Sequence, residues 1–138
     1  MFAQNPWHKA PLRRSALRTP GHERLIAAST HRGARFVEVS LLIDGNERGG
    51  LRINDQAAPI VARALELARA STVDRKLGTF SDGKFDVNVS TRPHPAGCVA
   101  VFLQTVDANG YAAGRAVTLY GDDFDAVDRG LAWLVQAS

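Results

Sequence analysis

Arginines near the N-terminus are the residues of this chain with the clearest chemical potential. Arg13, Arg14 and Arg18 lie within residues 1–22, a segment with four basic residues and no acidic one. The whole chain carries a formal net charge of +3 at pH 7, so the remainder is close to neutral. A guanidinium group stays charged and offers forked donors that match phosphate oxygens. We therefore expect this segment to contact the phosphates of a polyanion.

The histidines and the single cysteine form no recognisable catalytic or metal-binding motif. His8, His22, His31 and His94 have no ligand spacing with one another or with Cys98. The sequence also lacks a glycine-rich phosphate loop, a nucleophile elbow and a paired-cysteine motif. We predict that the chain is not an enzyme and uses no metal and no cofactor. One cysteine excludes an internal disulfide and fits a reducing compartment.

Length and composition are those of one globular domain. The chain has 138 residues, of which 45% are hydrophobic and 22% are charged, so it can bury an ordinary core. No apolar run approaches the about 20 residues that cross a bilayer, and the N-terminus lacks the apolar core of a signal peptide. We expect a cytoplasmic protein. Import into an organelle is an open alternative, because the basic N-terminal segment also fits a transit peptide.

A short unit of strands and one helix occurs twice in the sequence. In both copies an apolar strand is followed by a turn, a short strand and an amphipathic helix, and the offset between copies grows only in glycine- or proline-containing turns. The aligned segments are residues 29–31 with 90–92, 34–44 with 97–107, 51–53 with 117–119, and 61–65 with 127–131. We infer an internal duplication.

Side-chain periodicity predicts the elements of each copy. The first copy has predicted strands at residues 25–31, 35–44 and 51–54 and a helix at 57–70; the second has strands at 77–80, 85–91, 98–106 and 115–120 and a helix that begins at Asp122 or Asp123. The predicted fold is α+β, a tandem duplicated β-β-β(-β)-α unit with two curved antiparallel sheets and two packed helices. Residues 1–23, with three prolines, are predicted to be a flexible basic arm, and residues 24–138 one domain of two repeats, at about 24–75 and 76–138.

This order of elements resembles that of the purine-rich-element-binding (PUR) repeat proteins, the Whirly proteins and the positive-cofactor-four type of transcriptional coactivator. The segments that carry the resemblance are GARFVEVSLLIDGNERGGLRINDQAAPIVARALELA and GCVAVFLQTVDANGYAAGRAVTLYGDDFDAVDRGLAWL. The resemblance implies two intertwined repeats with crossing helices. It also implies curved sheets that bind single-stranded DNA or RNA.

The resemblance assigns binding to cationic, polar and aromatic side chains at outward strand positions, and the charge of the arm adds its arginines to them. Cations would neutralise phosphates, and rings would stack on unpaired bases at about 1–3 kcal/mol per base. Phe36 and Tyr120 are the two rings suited to stacking. The predicted nucleic-acid-binding residues are Arg13, Arg14, Arg18, Arg24, Arg32, Arg35, Phe36, Arg52, Asn88, Ser90, Arg92, Arg115, Thr118 and Tyr120.

Two other interpretations are open. The same fold would also serve as a protein-interaction or assembly module without nucleic-acid binding, with Phe36, Leu42 and Trp133 as interface anchors. An enzyme acting on a nucleic acid or a small ligand would need a pocket of titratable groups. The partners that we expect are single-stranded DNA or RNA and a second copy in a homodimer, with no membrane.

Overall fold

The computed structural model describes residues 7–136 and has an α+β fold with two four-stranded antiparallel sheets and two helices. In each half, four strands in sequential order are followed by one helix, which confirms the predicted fold class at this level. The first half contains β1 (Trp7–Ala16), β2 (His22–His31), β3 (Ala34–Ile43), β4 (Asn46–Ile53) and α1 (Ala58–Arg69). The second half contains β5 (Gly78–Ser81), β6 (Asp86–Pro93), β7 (Val99–Val106), β8 (Ala112–Leu119) and α2 (Asp123–Gln136).

Two tight turns fix the register of the first sheet. Arg32 and Gly33 connect β2 to β3, and Asp44 and Gly45 connect β3 to β4; all four residues have positive φ. Two-residue hairpin turns with positive φ at both positions match the right-handed twist of the strands that they join. Every residue of β2 therefore has a partner on β3, from His22 opposite Ile43 to His31 opposite Ala34.

Strand β1 corrects the prediction of a flexible arm over residues 1–23. Residues 7–16 form an edge strand that pairs with β2, and residues 22–23 begin β2 itself. Pro11 is compatible with this position, because an edge strand has one side whose N–H groups need no partner. The register shifts between Pro11 and Arg13, as expected where a proline interrupts the ladder. Residues 1–6 of the predicted arm lie outside the described residues.

Each helix covers the sheet of the other half. Helix α1 packs against β6 and β7, whereas α2 packs against β1, β2 and β3. The buried stripes of the helices follow helical spacing, with Val61, Leu65 and Ala68 on α1 and Val127, Leu131 and Leu134 on α2. Because of this exchange, the apolar faces of both sheets contribute to one continuous core.

Alternation along the strands divides each sheet into a core face and an outer face. Val37 and Val39 of β3, and Leu103 of β7, belong to the core cluster. Side chains at intervening positions lie on the outer face, the side away from the helices. Within residues 7–136, no helix is both long enough and apolar enough to cross a membrane.

Candidate nucleic-acid interface

A cleft of about 520 Å³ lies where the outer face of the second sheet meets the turn between β1 and β2. The second sheet supplies its floor, the loop after β6 supplies one wall, and the first sheet supplies the opposite rim. The lining residues are Leu17, Arg18, Arg24, Arg92, Pro93, His94, Pro95, Ala96, Ala100, Phe102, Thr118 and Tyr120. The volume is within the range of small-ligand sites.

Strand register positions the floor of the cleft. Ser90 on β6 lies opposite Phe102 on β7, which in turn lies opposite Thr118 on β8. Arg92 lies opposite Ala100 in the next outward row. The neighbours of Phe102 in sequence, Val101 and Leu103, are fully buried in the core, so the Phe102 ring lies on the outer face.

Two close contacts between planar groups line the cleft. The Cζ atom of Arg92 lies 3.8 Å from the centre of the Phe102 ring, which is close contact between a guanidinium and an aromatic face. The rings of His94 and Tyr120 stack with centroids 4.1 Å apart and an interplanar angle of 24°. The backbone N–H of Ala96 donates to His94 Nδ1 at 3.1 Å, so the loop holds the imidazole in place. The cleft therefore presents planar groups with fixed orientations.

The charge of the cleft is positive. Arg18, Arg24 and Arg92 are among its lining residues, and none of the lining residues is acidic. Arg24 Nη1 donates to Asp123 Oδ2 at 2.8 Å, so part of its charge is balanced within the protein. Arg18 is exposed and forms no ion pair with residues 7–136. Arg18 and Arg92 are therefore the cations best placed to receive an anion.

Five of the fourteen predicted site residues come together in the cleft, and two more lie beside it. Ser90 is buried in the row of Phe102, and Asn88 lies one row further along the outer face, where it accepts a hydrogen bond of 2.7 Å from the Thr79 hydroxyl. The five that line the cleft are Arg18, Arg24, Arg92, Thr118 and Tyr120.

Arg24 and Arg35 lie on the core face of the first sheet, which corrects their predicted outward orientation. Arg24 shares its face of β2 with buried Ile26, and Arg35 shares its face of β3 with buried Val37. Arg35 Cζ accordingly lies 4.8 Å from the ring centre of Trp133 on α2. Because side chains alternate along a strand, Arg35 and Phe36 cannot share a surface.

Phe36 and Arg52 contact each other on the outer face of the first sheet. Arg52 Cζ lies 4.5 Å from the centre of the Phe36 ring, and Arg52 Nε lies 3.6 Å from Glu38 Oε2. Glu38 is buried and also pairs with Lys9. Phe36 is 5% exposed and Leu42 is 4% exposed, so neither presents the open anchor that the protein-interaction hypothesis requires.

Lys9 belongs to a cluster of ion pairs on that outer face, in which Glu38 is buried, Lys9 is half-buried and Glu47 is exposed. It donates hydrogen bonds to Glu38 and Glu47. Burial alone would lower the pKa of Lys9, but the hydrogen bonds to the two carboxylates outweigh it and raise the pKa above its ordinary value of 10.5. The cluster joins β1, β3 and β4 and leaves this face with paired charges.

The remaining four predicted arginines have contacts within the protein or form a turn. Arg13 Nε donates to Asp123 at 3.1 Å, and Arg14 donates two hydrogen bonds to the Glu23 carboxylate, which lower the pKa of Glu23. Arg115 Nη1 donates to the Gly50 carbonyl at 2.8 Å and so ties β8 to β4. Arg32 occupies the β2–β3 turn with a φ of 52°. None of the four lines the cleft.

Sequence reasoning missed Phe102 and His94. The signal for Phe102 was present, because Val101 and Leu103 flank it and alternation assigns it to the opposite face. His94 lies between two prolines in a loop, and its stacking on Tyr120 depends on how that loop folds back. The cleft therefore has three aromatic rings rather than the one that was predicted there.

No family model and no curated protein matches the sequence. Within residues 7–136, no group of three or more histidine, cysteine, aspartate or glutamate side chains is arranged to hold a metal ion. The geometry of the cleft therefore carries the functional interpretation.

Proposed function

We propose that this chain binds single-stranded DNA or RNA, in the manner of the PUR, Whirly and positive-cofactor-four proteins. The observation that carries the proposal is the cleft itself, where Arg18, Arg24 and Arg92 surround the rings of Phe102, His94 and Tyr120. A cleft that combines cations with planar rings and has no acidic lining residue suits a ligand that has both phosphates and flat bases. Helix α1 covers the second sheet and α2 covers the first. This arrangement supports a relationship to the three families, because their repeats are intertwined.

The mechanism assigns separate roles to the charges and the planar groups. Arg18 and Arg92 neutralise backbone phosphates and release counterions, which makes binding salt-dependent. The Arg92–Phe102 pair and the His94–Tyr120 pair offer stacking surfaces to unpaired bases. Bases in a duplex are stacked on each other and cannot enter such a cleft without unpairing, so single strands are preferred.

Fluorescence anisotropy with labelled single-stranded DNA, single-stranded RNA and duplex DNA tests the proposal. We expect both single strands to bind more tightly than duplex, and affinity to fall as salt rises. Tyr120→Leu should weaken binding about five- to 160-fold, because it removes a ring worth about 1–3 kcal/mol per base. Tyr111→Ala is the matched control, because Tyr111 is 72% exposed and lies outside the cleft.

Two results would contradict the proposal. One is the absence of single-strand binding at low salt. The other is equal loss of affinity in Tyr120→Leu and Tyr111→Ala, since the cleft would then have no special role. The predicted homodimer is a separate proposal, which light scattering coupled to size-exclusion chromatography would decide.

A further inference from the structure

Two smaller cavities continue the cleft beyond Arg92. The first, of about 430 Å³, is lined by Arg75, Arg92 and Pro93. The second, of about 290 Å³, is lined by Arg75, Lys76, Gly78, Thr79, Asn88 and Val89. Arg92 is shared by the cleft and the first cavity, and Arg75 by the first and second cavities. The three openings are therefore neighbours, and together they extend from the β1–β2 turn to edge strand β5.

The segment that carries Arg75 and Lys76 is fastened to the second sheet. Thr91 on β6 is fully buried, and its hydroxyl donates to the Thr72 carbonyl at 2.8 Å and accepts from the Asp74 N–H at 2.6 Å. The backbone N–H of Thr91 donates to the Asp74 carbonyl at 2.8 Å. These bonds tie the connection between α1 and β5 to the end of β6, so the two cations have a defined place beside Arg92.

The charges along these openings suit a phosphate backbone. Arg75 and Lys76 are exposed, and none of the residues that line the two further cavities is acidic. The nearby carboxylate of Asp74 accepts the backbone N–H of Lys76 at 3.0 Å, which engages it within the turn. Thr79 and Asn88 add hydroxyl and amide groups in the second cavity.

We propose that Arg75 and Lys76 form a second phosphate-binding subsite for the same single strand. The strand would enter at Arg18, pass Arg92 and continue over Arg75 and Lys76 toward β5. This inference rests on the proposed function and adds a route to it. It follows that affinity depends on strand length, because only a strand that spans both subsites reaches all the cations.

The test uses the full chain and oligothymidylates of about three and about eight nucleotides, lengths on either side of the shortest single-strand site sizes. For the wild type we expect the longer strand to bind more tightly. Arg75→Ala/Lys76→Ala should reduce this advantage. It should also lower the salt slope, the steepness with which the logarithm of the affinity falls with the logarithm of the salt concentration, by about 1.4 for the longer strand, at about 0.7 per phosphate contact. Binding of the shorter strand in the cleft should be unchanged.

Arg63→Ala/Lys84→Ala is the matched control, because it also removes two positive charges. Arg63 is exposed on α1, where it pairs with Glu66, and Lys84 precedes β6 at the end away from Arg92. We expect this control to keep the length dependence and the salt slope of the wild type. Thermal unfolding of both variants checks that the fold is intact.

The outcomes separate the second subsite from the proposed function. Equal affinity of Arg75→Ala/Lys76→Ala and wild type for the longer strand would overturn the subsite and leave binding in the cleft intact. Equal losses in the two double variants would also overturn it, since net charge alone would explain them. If neither oligothymidylate binds the wild type, while oligouridylates of the same lengths also fail, the proposed function falls and the subsite falls with it.

Discussion

The guanidinium of Arg92 lies over the ring of its outward neighbour Phe102, with Cζ 3.8 Å from the ring centre. The two residues are on adjacent strands, one row apart in the ladder, because Arg92 lies opposite Ala100 and Ser90 lies opposite Phe102. Arg92 is exposed and lines the cleft, so its guanidinium is accessible to a ligand while it contacts the ring. Bases stack on guanidinium planes as well as on aromatic rings, so Arg92 is suited to contact both a base and a phosphate.

Arg92→Lys separates these two roles. Lysine keeps the positive charge but has no planar group to stack. We expect Arg92→Lys to lower affinity for a single strand about tenfold while the salt slope stays unchanged, and Arg92→Ala to lower both the affinity and the slope. Anisotropy titrations at several salt concentrations measure both quantities. Wild-type affinity in Arg92→Lys would show that stacking on Arg92 contributes nothing.

Asp123 should be essential to stability. It is 2% exposed, and its carboxylate accepts hydrogen bonds from Arg13 on β1 and Arg24 on β2. Asp123→Asn removes the carboxylate that these two partly buried guanidinium groups share, and we expect the free energy of unfolding to fall by about 3 kcal/mol. Chemical denaturation followed by circular dichroism measures it.

Asp122→Asn is the control for that experiment. Its side chain is 82% exposed and lies 3.9 Å from Arg13, so the substitution should change the free energy of unfolding by less than about 0.5 kcal/mol. If both asparagine variants are as stable as the wild type, the contacts of Asp123 do not hold α2 on the first sheet.

Lys9 should make stability sensitive to alkaline pH. Its folded-state pKa is raised above 10.5, so the protonated form is favoured by folding. The contribution is fully present below pH 10.5 and is lost as pH rises through the folded-state pKa. We expect denaturant midpoints to fall in that range for the wild type, and Lys9→Met to show a smaller fall. If the denaturant midpoints of the two proteins fall equally as pH rises, Lys9 is not the cause of the alkaline loss of stability.

Substitution of Gly130 should destabilise the protein, although Gly130 lies within α2. A Cβ atom there would lie 2.6 Å from Val37 Cγ2 and 3.1 Å from Leu12 Cδ1. Alanine would gain about 1 kcal/mol of helix propensity, but overpacking typically costs about 1–3 kcal/mol. We therefore expect Gly130→Ala to be destabilising in thermal and chemical unfolding.

A double-mutant cycle with Val37→Ala checks the cause. Removing the two Cγ atoms of Val37 makes room for the new methyl group, so the double variant should be more stable than the sum of the single effects predicts. If the two changes in the free energy of unfolding are additive, the destabilisation by Gly130→Ala does not come from its contact with Val37.

Local patterns predicted most of the elements but not their partners. The alternation of Val87 and Val89 indicated β6, and Gly33 after Arg32 indicated the first tight turn. Residues 44–50 were expected to form one connection, whereas the turn is limited to Asp44 and Gly45 and β4 begins at Asn46. β1 was missed because proline and clustered cations are also typical of disorder, whereas an edge strand tolerates both. The contact between Arg24 and Asp123 joins residues 99 positions apart, and no local pattern carries that information.

The candidate site was predicted in part for the same reason. Arg92, Thr118 and Tyr120 follow from strand alternation in one sheet, and they do lie together in the cleft. Arg18 and Arg24 join them only because the first sheet meets the second, which is a property of the tertiary structure. The opposite case is Phe36, which lies on the predicted outer face of β3 but is 5% exposed and has Arg52 over its ring.

The exchange of helices has a consequence for synthesis of the chain on the ribosome. The first sheet is complete at Ile53, yet the helix that covers its apolar side begins at Asp123. During elongation, Val37, Val39 and their neighbours therefore stay without their final cover until α2 has emerged. Until then the nascent chain exposes an apolar sheet face, and exposed apolar surface of this kind promotes aggregation.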